Sequence, residues 1–163
     1  MLRLRPERPA DHQGIGDVHD QAFGGRQESL LVEALRAEGS AILALVAEDD
    51  DGILGHVMFS RMEAPFRALG LGPVGVRPAR QRAGIGTALI RRAITDAAGE
   101  GWDAIFVVGD PAYYRRFGFD PQAASGFESP YAGPYLMMLP LGTPASSVRT
   151  GKIEYAPAFA SLS

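Results

Sequence analysis

The sequence predicts an α+β architecture: a mixed, mostly antiparallel sheet with helices on both faces. Three observations carry this prediction. Apolar residues alternate at period two in short segments and recur at helical spacing in longer ones. The elements follow the order strand, two helices, three strands, helix, strand, helix, strands, which is neither a regular βαβ alternation nor an all-β series. A short, wholly apolar strand follows the longest helical pattern, as expected where a sheet is covered on both sides.

Leu2 and Leu4 alternate with Arg3 and Arg5, giving a first strand with one face buried. Pro9-Ala10-Asp11-His12 opens a helix in which Ile15, Val18, His19 and Ala22 share a face, and Gly24-Gly25 interrupts it. A second helix starts near Glu28, with Leu30, Leu31, Ala34 and Leu35 on one stripe and Gly39 as its C-cap. Ala41 to Glu48 is an apolar strand, Asp49-Asp50-Asp51-Gly52 a turn, and Ile53 to Met62 the returning strand of an antiparallel hairpin. Leu69 to Val76 is a further strand, broken by Gly70, Gly72, Pro73 and Gly75, residues that mark a bulge or a close backbone approach. The central helix runs from about Ile85 to Ala98, with Ile85, Leu89 and Ala93 one turn apart beside Ile90, Ile94 and Ala97. Asp103 to Val108 is the apolar strand, and Pro111 to Phe117 a short helix with proline first. Phe119 and then Tyr135 to Leu139 supply late strands, and the Thr-, Pro-, Ser- and Gly-rich tail after Gly142 is assigned no element.

A chain of 163 residues fits one domain, 1–163, large enough to bury a core without metal or disulfide staples. Hydrophobic content of 46% and charged content of 21% are those of a globular protein. A formal net charge of -3 argues against a general nucleic-acid binder, although Arg77, Arg80, Arg82, Arg91 and Arg92 form a local basic cluster. Without cysteine there is no disulfide, thiolate metal site or cysteine nucleophile, and no metal is called for. No apolar run resembles a signal core or a membrane span, so a cytoplasmic location is expected.

The chemistry concentrates where the broken strand meets the central helix. Val76-Arg77-Pro78 leads through a basic turn, Gln81-Arg82-Ala83-Gly84-Ile85-Gly86-Thr87, into the helix start. Unpaired amides, the positive end of the helix dipole and nearby arginines make a cradle for a phosphate or pyrophosphate. Neither nucleotide fingerprint fits: no Lys-Ser or Lys-Thr follows the glycines, and Leu89 stands where a dinucleotide motif requires a third glycine. A second constellation, Gly109-Asp110-Pro111-Ala112-Tyr113-Tyr114-Arg115-Arg116-Phe117-Gly118-Phe119, follows the next strand. A phenol there, with an ordinary pKa of about 10, donates a proton to a departing thiolate and is still protonated at neutral pH. Three of the four aromatics in this run are expected as core.

Together these motifs, in this order and spacing, resemble the GNAT superfamily of acetyl-CoA-dependent N-acetyltransferases, and within it the YhbS-like branch. The likeness extends from Leu2 to about Leu141, Gly55-His56-Val57 among its residues, and the late Gly151-Lys152-Ile153-Glu154-Tyr155-Ala156-Pro157-Ala158-Phe159 also resembles that branch. It implies a GNAT fold with acetyl-CoA as cosubstrate. The amides from Arg82 through Ala83, Gly84, Ile85 and Gly86 to Thr87 would hold the CoA pyrophosphate, with Gln81 in the same motif. The strand edge at Val74, Gly75 and Val76 would pair with the pantetheine arm, and an amide at or beside Val76 would stabilise the tetrahedral oxyanion. Tyr114 matches the family's proton donor to the CoA thiolate. Many members carry an asparagine ahead of that tyrosine; here Gly109-Asp110-Pro111 stands there, which leaves Asp110 without a role.

The base for the amine stays open among Glu63, His56, Glu28, Asp110 and a water chain to solvent. Direct attack by a primary amine is the leading reading, since no G-x-S-x-G nucleophile elbow is present. A CoA-binding regulatory module and a longer acyl donor stand as alternatives. The acceptor, whether small molecule, peptide N-terminus or protein lysine, is unread, and monomer and homodimer both remain open.

Overall fold

A computed structural model describes residues 1–162; Ser163 lies outside them. In chain order the elements are β1 (Arg3–Pro6), α1 (His12–Phe23) after a 3-10 turn at Pro9–Asp11, α2 (Gln27–Ala37), β2 (Ala41–Asp49), β3 (Gly52–Met62), β4 (Ala68–Val76), α3 (Ile85–Gly99), β5 (Ala104–Val108), α4 (Pro111–Tyr114), α5 (Pro121–Ala124), β6 (Phe127–Glu128), β7 (Leu136–Pro140), α6 (Thr143–Ser147) and β8 (Gly151–Lys152). Six strands hydrogen-bond in the order β1-β2-β3-β4-β5-β7, a mixed sheet as expected, while β6 and β8 form a separate pair. No helix among the described residues is long and apolar enough to cross a membrane. The chain divides into two compact units, residues 1–60 with 72–93 and the segment from Pro157, and residues 61–71 with 94–156.

In the first unit β1 and β2 are antiparallel, Arg3 opposite Glu48 and Pro6 opposite Leu45. The β2–β3 hairpin forms where the Asp-Gly run predicts it: Asp49 faces Gly52, whose φ of 104° requires glycine, and the Asp51 amide donates to Asp49 Oδ1 at 2.7 Å. Neighbouring residues of a strand point to opposite faces, and β3 shows what covers each. A Cβ built on Gly55 would meet Ile85 and Leu89 of α3 at 3.1 Å, whereas the next side chain, His56, hydrogen-bonds His19 of α1. Helices therefore cover both faces of this unit. The core between them is Ile15, Val18, Leu31, Val32, Leu35, Leu45, Val57, Phe59, Leu89 and Ile90.

The α2 stripe buries Leu31 and Leu35 as expected, with Val32 beside them, but not Leu30. Leu30 is 49% exposed, and Ser29 is buried in the inward position. The exchange works because the Ser29 hydroxyl donates to Asp20 Oδ1 at 2.6 Å, so no polar group is left unpaired. Gly39, with φ 79°, lies one residue past the C-cap, Glu38.

In the second unit β4 and β5 are parallel over Ala68–Gly70, and β5 pairs antiparallel with β7 from Ala104–Pro140 to Val108–Leu136. Phe66, Phe106 and Phe127 pack ring against ring at its centre, with Met62, Leu136, Met138 and Ile153 around them. One expectation fails here. Phe119 is buried but lies in no strand: Gly118 (φ 98°) turns the chain, and Asp120 makes only a single bridge to Met138 before capping α5. The tail, to which the sequence assigns no element, is structured. It carries α6 and β8, which pairs in parallel with β6, and it buries Ala145, Ile153 and Ala156.

Candidate acyl-transfer site

The residues singled out from Val74 to Thr87 are contiguous in the first unit. Val74, Gly75 and Val76 end β4; Gln81, Arg82, Ala83 and Gly84 form an exposed turn; Ile85, Gly86 and Thr87 are the first turn of α3. The turn is anchored at its near end. The Arg77 amide donates to Leu54 O at 2.8 Å, its Nε to Ile53 O at 2.6 Å, and Gln81 Nε2 to Val76 O at 3.0 Å. Arg82 has φ 68° and Gly84 φ 84°; Arg82 is the single non-glycine residue with positive φ among the described residues. That conformation costs an L-residue about 1–2 kcal/mol, and two such residues flanking Ala83 curl successive amides into a concave row suited to an anion. The first intrahelical bond beyond it runs from the Ala88 amide to Gly84 O, so the amides of Ile85 and Gly86 precede the helical ladder.

The basic cluster is less basic than its composition. Arg80 is held by Asp49 at 3.0 Å and Asp51 at 2.9 Å from the hairpin tip, and Arg77 donates to Gln21 at 2.8 Å. Arg82 is exposed on the turn itself.

Tyr114 belongs to the second unit, on α4. Asp110, without a role in the sequence, is the N-cap of this helix: its Oδ1 accepts from the Ala112 amide at 2.9 Å. The Tyr114 ring packs edge-on against Tyr113 (5.0 Å between centroids) and Phe119 (6.0 Å), and tilted against Phe117 (6.2 Å). A Cβ at position 109 would collide with the Tyr114 ring, so Gly109 is the space that ring occupies. Of the four aromatics expected to be mainly core, only Phe119 is fully buried; Tyr113, Tyr114 and Phe117 are half-buried. Burial, reinforced by Tyr113, pushes the Tyr114 phenol up to about 12. It is a proton donor throughout the neutral range.

Of the candidate bases, Asp110 is engaged as a cap, and Glu63 is exposed with its backbone bridged to Glu154. Glu28 is half-buried in the first turn of α2. His56 is fully buried between His19 and Glu7. The sequence places His19 only on the inner face of α1 and gives Glu7 no role, because nothing in their spacing marks them as neighbours of His56.

This cluster fixes an acid response. Burial alone would raise the Glu7 carboxyl, but hydrogen bonds from His56 and Arg36 outweigh it and hold it at about 2. The hydrogen bond from Arg5 likewise holds Asp11 at about 2, against the opposing effect of burial. Burial lowers His19 to about 3 and also lowers His56. All four groups bind protons more readily in the unfolded chain, so stability rises with pH across their windows. Denaturant titrations should show stability falling first below about pH 6.5, where unfolded histidine protonates, and again between about pH 4 and 2 with the carboxyls. A flat profile from pH 6.5 to 4.5 would contradict neutral buried imidazoles.

Residues 40–121 match the family model described as an acetyltransferase (GNAT) domain. The chain is 35% identical over 134 residues to the uncharacterized N-acetyltransferase YjhQ of Escherichia coli, covering 77% of this chain and 74% of that one. Its fold is similar to the crystal structure of the GNAT family N-acetyltransferase YhbS from Escherichia coli in complex with CoA: TM-score 0.90, 30% identity, covering 98% of this chain and 92% of that one. It is also similar to a GNAT family acetyltransferase from Brucella melitensis in complex with acetyl-CoA, with TM-score 0.82, 36% identity and 98% of each chain covered. Fold, motif order and these similarities agree: the chain belongs to the GNAT family of N-acetyltransferases.

Proposed function

We propose that the protein transfers an acetyl group from acetyl-CoA to a primary amine by direct attack in a ternary complex. The observation that carries this reading is the turn at Arg82–Gly84, whose two left-handed residues stand immediately ahead of the α3 N-terminus. The CoA and acetyl-CoA bound in the two similar structures support the same cosubstrate here. Arg82, Ala83, Gly84, Ile85, Gly86 and Thr87 bind the pyrophosphate through backbone amides, with Gln81 bracing the turn. Val74, Gly75 and Val76 pair with the pantetheine arm beyond Gly70, where the pairing of β4 with β5 ends. An amide at Val76 receives the thioester oxygen as it becomes an oxyanion. The amine nitrogen bonds to the carbonyl carbon, the C–S bond breaks with its electron pair going to sulfur, and Tyr114 gives its phenolic proton to that sulfur. The acceptor is an amine of a small molecule, peptide or protein, and the reaction is placed in the cytoplasm.

Thermal unfolding with acetyl-CoA, CoA and NAD tests the cofactor assignment. A ligand at 100 times its Kd stabilises the native state by about 2.7 kcal/mol. Both CoA species should raise the midpoint and NAD should not. No shift with either CoA species would refute the proposal, and CoA release across an amine panel then identifies the acceptor class.

A further inference from the structure

The chain has three histidines, and with Glu7 they form one connected line. His19 Nε2 lies 2.8 Å from His56 Nδ1, and His56 Nε2 lies 2.8 Å from Glu7 Oε1. Glu7 Oε2 lies 3.5 Å from His12 Nε2. His19 and His56 are fully buried, whereas the His12 side chain is 44% exposed, so the line runs from the interior to the surface.

Its proton order follows from the carboxylate end. Arg36 donates Nε and Nη2 to Glu7 at 2.7 and 3.1 Å, and an ionised carboxylate only accepts. His56 must therefore carry its proton on Nε2 and accept at Nδ1. His19 must then donate from Nε2, which leaves its Nδ1 as a bare lone pair. That atom is buried and has no hydrogen-bond partner among the described residues. It is aimed at the end of β4: a Cβ on Gly75 would stand 2.7 Å from it and 3.4 Å from Phe23. The Phe23 ring stacks on His19 with centroids 6.0 Å apart and is itself 47% exposed. A buried acceptor left unmet costs about 1–3 kcal/mol, a cost that packing alone does not call for.

We propose that His19 Nδ1 takes the proton from the acceptor amine, and that His56, Glu7 and His12 conduct a proton to solvent. This rests on the reading of Val74 to Val76 as the strand that holds the thioester. The amine enters by displacing the Phe23 ring from above Gly75. Its N–H bond breaks with the electron pair staying on nitrogen, and the proton bonds to His19 Nδ1. The His19 Nε2 proton moves to His56 Nδ1 and the His56 Nε2 proton to Glu7 Oε1, from which it leaves through His12 or water. Both rings are neutral before and after, so no imidazolium is left in the interior; each ends protonated on Nδ1, and exchange of the ring protons with water after the product leaves restores the Nε2-protonated tautomers.

Two measurements test this. With only three histidines, ¹⁵N imidazole spectra resolve each ring. His19 and His56 should both be protonated on Nε2 and bare on Nδ1; a proton on His19 Nδ1 overturns the proposal. The second is His19→Gln, whose amide N–H keeps the bond to His56 but whose side chain has no basic nitrogen. Its kcat/KM should fall about 100-fold or more with benzylamine, an ammonium at neutral pH, and only a few-fold with aniline, which is already neutral. Equal losses with both amines, or none with benzylamine, overturn it. Glu7→Gln removes the far acceptor and should give the same selective loss, which keeps the test open if His19→Gln fails to fold. A wild-type protein with no acetyl-CoA thermal shift refutes the cofactor reading instead, whatever the histidine spectra show.

Discussion

Tyr114→Phe should lower the rate of the chemical step by about 10²–10⁴-fold, the range for losing one general acid. The substitution removes a single oxygen and keeps the ring against Tyr113, Phe117 and Phe119 and over Gly109, so the fold and the acetyl-CoA thermal shift should be unchanged. Single-turnover measurement isolates chemistry from product release. Because the phenol is pushed up to about 12, the wild-type rate should not decline through Tyr114 ionisation below that pH. Equal rates for wild type and variant at every pH would remove Tyr114 from the mechanism.

The second large effect is on stability. Phe106→Ala should cost about 3–5 kcal/mol, the range for truncating a buried aromatic. Phe106 is fully buried on β5, stacked on Phe66 at 6.3 Å and edge-on to Phe127 at 5.5 Å. Its removal opens a cavity at the meeting point of β4, β5 and β6, and both ring partners lose their contacts at once. Against a typical total of about 5–15 kcal/mol, the loss should be plain as a lowered urea midpoint with an unchanged slope. A change below about 1 kcal/mol would mean that the neighbouring rings collapse into the space.

Local chemistry made much of this legible. The Asp-rich turn ending in Gly52 specifies its hairpin because the backbone there needs positive φ. The turn before α3 reads as an anion cradle because Gly84 and the helix start are adjacent in sequence. What stayed hidden depends on partners distant in the chain. Ser29 is buried through its bond to Asp20 while Leu30 faces solvent, and Arg80 is occupied by a hairpin tip 29–31 residues away. His19 and His56 are 37 residues apart and His56 and Glu7 are 49 apart, separations at which no spacing rule operates. The tail misleads for another reason: its turn-forming composition conceals single apolar residues, Ile153 above all, that are buried completely.

Gly109 carries a consequence for how such proteins are recognised. The position of the Tyr114 ring depends on a residue with no side chain, five places upstream, which leaves open the volume the ring fills. A tyrosine in register but preceded by alanine would be steered elsewhere, while sequence comparison would score the two chains almost alike. The glycine and the tyrosine therefore form one steric unit, and a single methyl group at position 109 would move the Tyr114 ring without touching any other site residue named above.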